Sequence, residues 1–448
     1  MNSPQHSFNI VYIHTHDTGR YVSPHGYPVE TPNLHALAAQ SVLFRNAHSS
    51  APTCSPSRSS LLTGTYPHEN GMLGLAHRGF SLYDYRQHLV SYLKSAGYTT
   101  ALCGVQHVAP RKGMIGYDLV LDDSDEYFEQ GIDDLCTYDQ RNARCAAEFI
   151  RTHEDGPFFL SFGMLNTHRP FPEPSETGGA YARPPCPIPD TADTRKDAAG
   201  FYTAVKTVDQ CVGEVLEALR SSGREEDTLV LCTSDHGPAF PGMKATLHDS
   251  GTGVVMMLKL PEAMGRTTVD SPSMPQVCDA MVSQLDIFPT LSEMLGIPPQ
   301  HSLEGRSLLP LLRGEQQELH PYLYSETSFH AAYEPARAIR SKRYKLIRRY
   351  SPIDHRLPVN VDDSPTKDHF SMHGYFSETA AGEELFDLAL DPLEKQNRAD
   401  DSAYHSVREE LGAHLNRWME RTGDPLLKGP VKPPAGAALD SPESYSPD

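Results

Sequence analysis

The 448 residues contain no Cys-x-x-Cys pair, and the eight cysteines (54, 103, 136, 145, 186, 211, 232 and 278) follow no regular spacing. That pattern excludes a disulfide framework and a zinc ribbon. No apolar run approaches the roughly 20 residues that cross a bilayer. The polar start, 1–7, is followed only by a short apolar run over 9–13, which is unlike a secretion signal. Basic residues are in deficit, 39 Lys and Arg against 58 Asp and Glu, for a formal charge of −19. An envelope of that sign excludes general affinity for nucleic acid or for an anionic membrane surface, although a positive pocket for an anionic substrate remains compatible with it. There is no internal repeat. These absences point to a reduced, cytoplasmic protein, and they leave room for a homo-oligomer.

What is present is an ordinary globular composition, 22% charged and 38% hydrophobic, in a chain long enough for a large α/β domain and a smaller one. Apolar runs over 9–13, 99–103, 158–165 and 228–232 have the continuous character of buried parallel strands, and each ends in polar residues. Helical stretches are expected over 33–43, 89–96 and 201–219, the last with Val205, Val208, Val212, Val215 and Leu219 near a 3.6-residue period. Alternating strands and helices imply a doubly wound, mostly parallel sheet between helices, with ligands gathered beyond the carboxyl ends of the strands. A Pro-rich stretch, 172–194, reads as a long surface loop. The texture changes near 315. Strands are expected within 337–350 and 384–388 and a helix over 402–421, a small α+β unit. The expected division is 1–314, 315–427 and a mobile Pro-rich tail, 428–448.

The stretch that organises the chain is Cys54-Ser55-Pro56-Ser57-Arg58, followed by Ser59-Ser60-Leu61-Leu62-Thr63-Gly64. Pro56 lies just inside a helix start and Gly64 ends the helix. Cys54 therefore sits at a helix N-terminus, where backbone N–H groups favour an anion, and Arg58 adds a permanent positive charge. By itself such a cysteine is a nucleophile, a metal ligand or a small buried residue. Two strand ends carry a His beside an Asp, His16-Asp17 and Asp235-His236, and an Asp so placed is by itself more often a helix cap or turn residue than a metal ligand.

The Cys-x-Pro-Ser-Arg run with Leu-Thr-Gly resembles the signature of the type I sulfatases, a family of the alkaline-phosphatase-like superfamily. The likeness extends from Asn9 to about Thr422, through Asp286-Ile287-Phe288-Pro289-Thr290 and Gly305-Arg306-Ser307-Leu308-Leu309. It implies an alkaline-phosphatase-like fold and a sulfuric ester hydrolase. Cys54 would be oxidised to formylglycine by a formylglycine-generating enzyme, and its hydrated aldehyde would be the nucleophile. By the same resemblance His16, Asp17, Cys54, Asp235 and His236 surround one divalent metal ion. Arg58 stabilises charge, Lys244 binds the sulfate, His168 protonates the leaving group, and His107 assists sulfate release.

The chain departs from the family pattern in two places. Asp-Asp and Asp-Asn are usual where this chain has His16-Asp17 and Asp235-His236. Of Ca, Mg, Mn, Fe and Zn, the His-rich set favours a transition metal such as Mn. The usual Gly-Lys-x-His reads Gly104-Val105-Gln106-His107, so a valine replaces the lysine that contacts the nucleophile. Within the family the layout is most similar to the sulfamidase branch, in Ser60–Met72 and in Asp391-Pro392 with Glu394 and Gln396-Asn397. The expected substrate is a sulfated small molecule or glycan fragment. Phosphonate monoester or phosphodiester hydrolysis is the alternative reading, suggested by the histidines, and a non-catalytic binding member is the third. A basic run, Arg340, Lys342, Arg343, Lys345, Arg348 and Arg349, either attracts a sulfated glycan or is a routine strand with solvated charges.

Overall fold

The computed structural model describes residues 8–122, 134–174, 176–264 and 276–447. Eight strands form the main sheet: β1 (Asn9–Thr15), β2 (Val42–His48), β3 (Thr99–Gly104), β4 (Leu119–Val120), β5 (Phe158–Gly163), β6 (Thr228–Ser234), β7 (Met256–Lys259) and β8 (Gln276–Ser283). Their order is β4-β3-β5-β1-β6-β7-β2-β8, and every pairing is parallel except the two made by β7. The four apolar runs expected as strands are β1, β3, β5 and β6, and they are spatial neighbours.

Alternation along these strands loads both faces of the sheet. Ile10, Tyr12, Phe159, Leu229 and Leu231 pack on one side with the helices Leu89–Ser95 and Ile287–Leu295. Val11, Ile13, Phe158, Leu160, Val230 and Cys232 pack on the other with the helices Pro32–Ala39, Leu135–Thr152 and Ala192–Ser221. A sheet buried on both faces has no need of polar alternation, which is why its strands read as continuous apolar runs.

Two helices differ from expectation. The one expected over 33–43 stops at Ala39, where Ser41 Oγ donates to Leu37 O at 2.7 Å, and Val42-Leu43-Phe44 enter β2 instead. The β-branched and aromatic character of those residues outweighs their helical spacing. The helix expected over 201–219 begins nine residues earlier, at Ala192, capped by Thr191 Oγ1 accepting from Thr194 N at 3.3 Å. The 172–194 stretch contains the short helix Glu176–Tyr181.

The second sheet is antiparallel, in the order β12-β11-β10-β9, from β9 (Leu323–Phe329), β10 (Tyr333–Arg340), β11 (Tyr344–Arg349) and β12 (Glu383–Asp387). The helix His405–Thr422 lies on it through Leu411, Leu415, Trp418 and Met419, and Tyr66 and Leu285 of the larger unit join the same cluster. The basic run of β10 and β11 is neutralised in place. Arg340 and Lys345 bind Asp249, Lys342 binds Glu318, Arg343 binds Asp387, Arg348 binds Glu383 and Arg349 binds Glu334. That is the routine-strand reading, with acidic partners in place of solvent. The Pro-rich end makes contacts with the body. Arg78 pairs with Asp440 at 3.0 Å, Asp440 N donates to Ala331 O at 3.0 Å, and Lys367 Nζ donates to Tyr445 O at 2.6 Å. Among the described residues no helix is long and apolar enough to cross a membrane.

Candidate active site

Each of the four neighbouring strands delivers its polar end to the same edge of the sheet. His16 and Asp17 follow β1, His107 follows β3, His168 follows β5, and Asp235 and His236 follow β6. Asp17 and His107 both turn through the left-handed region, with φ of 48° and 50°. Among residues with a Cβ, Asp, Asn and His tolerate that conformation best. The helix Cys54–Thr63 points its N-terminus at this edge, with Thr53 as N-cap and Gly64 in the left-handed conformation at its end. Ser57 Oγ, in its first turn, donates to Asp235 O at 2.6 Å and so fastens the helix to the end of β6. Gly237 permits the return of the chain, since a Cβ there would lie 1.9 Å from Ser250 O.

At the centre, ligand atoms of His16, Asp17, Cys54 and Asp235 lie within 4.8 Å of one another, and all four residues are buried. His236 Nε2 joins them, 3.3 Å from Asp17 Oδ1 and 3.3 Å from Cys54 Sγ. Its Nδ1 is 2.9 Å from Gly237 O and donates to it, which leaves Nε2 to face two carboxylates. A lone pair aimed at carboxylate oxygens in a buried site is unfavourable unless a proton or a cation lies between them. Two carboxylates, imidazole nitrogens and a sulfur gathered this way fit a divalent ion. Asp235 is fixed for the role. Its Oδ1 accepts from Asp17 N and His236 N, both at 2.8 Å, and its Oδ2 accepts from Arg58 at 3.0 Å. Burial works against its charge, but His236 and Arg58 outweigh it and hold the carboxyl below its ordinary range.

Arg58 does more than neutralise. The residue is 2% exposed, and its guanidinium spans from Asp235 to Thr15 O at 2.8 Å and meets His14 Nδ1. His14, for which the sequence suggests no role, therefore orients Arg58. It is kept neutral by burial and by that same guanidinium.

Lys244 Nζ reaches Asp17 Oδ2 at 2.8 Å and His168 Nε2 at 3.2 Å. Burial opposes its charge, yet Asp17 and Asp362 hold the ammonium well above its ordinary range. His168 Nδ1 is 2.7 Å from Arg169 O, which fixes the ring with Nε2 toward the cleft. His107 has a ring nitrogen within 4.8 Å of both Cys54 Sγ and a nitrogen of His16. Its Nε2 pairs with His77 Nδ1 at 3.0 Å, and burial followed by His77 depresses its basicity. Val105, where the family has lysine, faces Leu135, Tyr138 and Leu165 in a small apolar cluster. His248 lies outside this group, edge-on to Phe386 and 3.9 Å from Glu384.

All nine residues singled out from sequence thus meet at one edge of the sheet. Sequence reading missed Asp362, whose carboxylate is 3.2 Å from Lys244 Nζ, as well as His77 and the buried His330. None of the three belongs to a motif or a periodic pattern. The only available signal was the acidic pair Asp362-Asp363 in a Pro-rich loop.

Comparison with known proteins identifies the family. The sulfatase family profile matches residues 8–297, and the profile for the C-terminal part of N-sulphoglucosamine sulphohydrolase matches 243–372. The human N-sulphoglucosamine sulphohydrolase is 32% identical over 461 residues, covering 90% of this chain and 88% of the relative. An ulvan-active sulfatase of Formosa agariphila is 27% identical, covering 93% of this chain and 75% of the relative. In fold, a sulfatase structure from Bacteroides thetaiotaomicron superposes with a TM-score of 0.71 at 22% identity, covering 98% of both chains. These relatives favour neither phosphonate hydrolysis nor a non-catalytic role. The match over most of its length, and the site at the end of its parallel sheet, make this chain a member of the sulfatase family, the sulfuric ester hydrolases.

Proposed function

We propose that the protein removes the sulfate of a sulfamate or sulfate ester on an amino-sugar unit of a glycan fragment, with position 54 as the nucleophile. The observation that carries this reading is the buried meeting of Cys54 with Asp17, Asp235 and His236, immediately beside Lys244 and His168. The likeness to a sulphoglucosamine sulphohydrolase over 90% of the chain supports the substrate class.

The residues divide the work by position. A divalent ion held by Asp17, Asp235 and His236, with His16 beside it, would supply positive charge to the sulfuryl oxygens. The donor set, with imidazole alongside carboxylate, favours manganese over calcium. Position 54, once converted to formylglycine by a maturation enzyme, supplies a hydrated aldehyde. Arg58 keeps Asp235 ionised and oriented. Lys244 presents an ammonium to the sulfuryl group. His168 Nε2, in contact with Lys244, is the atom from which a proton reaches the leaving nitrogen or oxygen. His107, kept neutral, accepts a proton near position 54 for the release step.

Two measurements test this. In protein produced with a formylglycine-generating enzyme, mass spectrometry of the tryptic peptide Asn46–Arg58 is expected to show the aldehyde at 54, accompanied by turnover of N-sulfoglucosamine. An intact thiol under those conditions sinks the reading. Chelation is expected to abolish turnover and lower the thermal midpoint, with Mn restoring both. Elemental analysis should find about one ion per chain and a nearly complete loss in Asp235→Asn, because Asp235 is one of the two carboxylates that would hold the ion in a closed site. Full metal occupancy in that variant would place the ion elsewhere.

A further inference from the structure

The C-terminal unit brings to Lys244 a charged side chain, Asp362, that belongs to none of the motifs. Asp362 accepts from Lys244 Nζ at 3.2 Å, while the same ammonium holds Asp17 Oδ2 at 2.8 Å and touches His168 Nε2 at 3.2 Å. Its side chain is 17% exposed, so it forms cleft wall rather than core. Lys244, His168, His330 and Arg169 are the charged or titratable groups that act on it, and Asp17 faces it across the ammonium. Burial disfavours its charge, but Lys244 first and then the histidines keep the carboxyl ionised.

The loop that carries Asp362 is tied on both sides. Upstream, Asn360 accepts from Ala332 N at 2.8 Å and donates to Glu334 at 2.9 Å. Downstream, Thr366 Oγ1 donates to Asp197 at 2.5 Å, and Asp197 forms a bidentate pair with Arg169, the neighbour of His168. Lys367 Nζ closes the loop on itself through Val361 O at 2.8 Å and Asp363 at 2.7 Å. Asp362 is thereby registered against the same segment that places His168.

This placement alters the charge the cleft offers to an anion. Arg58 and Lys244 face three carboxylates, Asp17, Asp235 and Asp362. With a divalent ion in place, the cations exceed the carboxylates by a single unit of charge. A sulfate or sulfamate monoester carries one negative charge, whereas a phosphate monoester carries two above its second ionisation, near about pH 6. We propose that Asp362 is a specificity-determining residue that makes the cleft selective for a singly charged sulfuryl ester over a doubly charged phosphoryl ester. The inference rests on the sulfatase reading of the site and adds to it the basis on which substrate charge is discriminated.

The test measures binding rather than turnover, so a failure of the catalytic reading leaves it interpretable. In metal-loaded Cys54→Ala protein, calorimetry compares phenyl sulfate with phenyl phosphate at about pH 8, where the phosphate is a dianion. Asp362→Asn is expected to bind phenyl phosphate about tenfold more tightly and phenyl sulfate at most about threefold more tightly, since removing a nearby charge acts in proportion to the charge of the ligand. Asp362→Glu is expected to retain the original preference. An equal change for both ligands, or a loss for both, overturns the proposal and leaves Asp362 as a support for Lys244 alone. If the Asn variant shows no cooperative melt, the Cys54→Ala protein is titrated with phenyl phosphate from about pH 5 to about pH 8, with phenyl sulfate as the non-titrating control. Relative affinity is expected to fall as the dianion forms, and a rise overturns the proposal.

Discussion

Cys54→Ala is expected to lower kcat/KM by about 10⁴-fold or more, the scale on which loss of a covalent nucleophile is felt, while the protein remains folded. The two halves of that statement have separate physical causes. Cys54 is 1% exposed, and its sulfur lies 3.3 Å from His236 Nε2 and 3.9 Å from Asp17 Oδ1, both polar groups of the site. Alanine removes that one atom, leaves the backbone bond from Ser57 N to Thr53 O at 3.0 Å, and leaves the buried face of Leu61 and Leu62 untouched. The helix has no reason to move. Activity falls because the charged side chains around Cys54 offer no replacement nucleophile. Arg58 and Lys244 are cations, and Asp17 and Asp235 are committed to Lys244, His236 and Arg58. The measurement is steady-state turnover alongside thermal unfolding. Turnover within tenfold of the parent, with the same midpoint, would remove Cys54 from the mechanism and leave the histidines as the only candidates.

The parts of this molecule that were legible in sequence share a cause. β1, β3, β5 and β6 sit side by side in the middle of the sheet, buried on both faces, so their residues are apolar without interruption and their ends stand out as abrupt changes to His and Asp. The helix of Cys54 announces itself through Pro56 near its start and Gly64 at its end, because its termini are local chemistry. What could not be read is non-local. Asp362 enters the site only because Asn360 and Thr366 hook its loop to β10 and to the segment beside His168, contacts that span up to 169 positions of sequence. His77 acquires meaning only when it stacks on His107 with ring centroids 5.3 Å apart. The helix that stopped at Ala39 shows the same limit in reverse. Its local pattern continues, but pairing of Val42 and Leu43 with β7 and β8 claims those residues for the sheet. The basic run in β10 and β11 looked free in sequence, where the matching acids, spread from Asp249 to Asp387, are out of sight.

Arg337→Met is expected to cost about 3–5 kcal/mol of stability, because it strips the cation from a buried charge cluster and leaves its carboxylates behind. Arg337 is fully buried. Its Nε lies 2.5 Å from Asp424 Oδ2 and 3.2 Å from Glu326 Oε2, and its NH1 donates to Thr327 O at 2.7 Å. Glu326 in turn accepts from His68 N at 2.8 Å and lies 2.6 Å from His68 Nδ1. The cluster thus joins the turn after the Cys54 helix, two strands of the second sheet and the segment that follows the last long helix. Methionine fills much of the volume but satisfies neither carboxylate. Trp418, the only tryptophan of the chain, lies edge-on to His68 at 5.4 Å and reports on this junction by fluorescence. Urea unfolding followed at that residue should show the midpoint fall in Arg337→Met, with part of the loss recovered when Glu326→Gln and Asp424→Asn are added. A cost below about 1 kcal/mol would mean that solvent or rearrangement screens the acids as it does at a surface. The cluster also has a pH signature. Burial disfavours charge on His68, but Glu326 outweighs it and raises the imidazole above 6.5. A raised base adds stability that is complete below its unfolded value and is lost as pH climbs through the folded one. Burial likewise opposes the charge of Glu326, but His68 and Arg337 hold it below 4.5, so its share is complete above that value and lost on acidification. The junction is therefore tightest between about pH 4.5 and 6.5, the two unfolded values. Because His68 is the group that titrates at the upper edge, His68→Gln should flatten the alkaline side of the stability profile, and it should also shrink the acid side, since Glu326 then has Arg337 as its remaining cation.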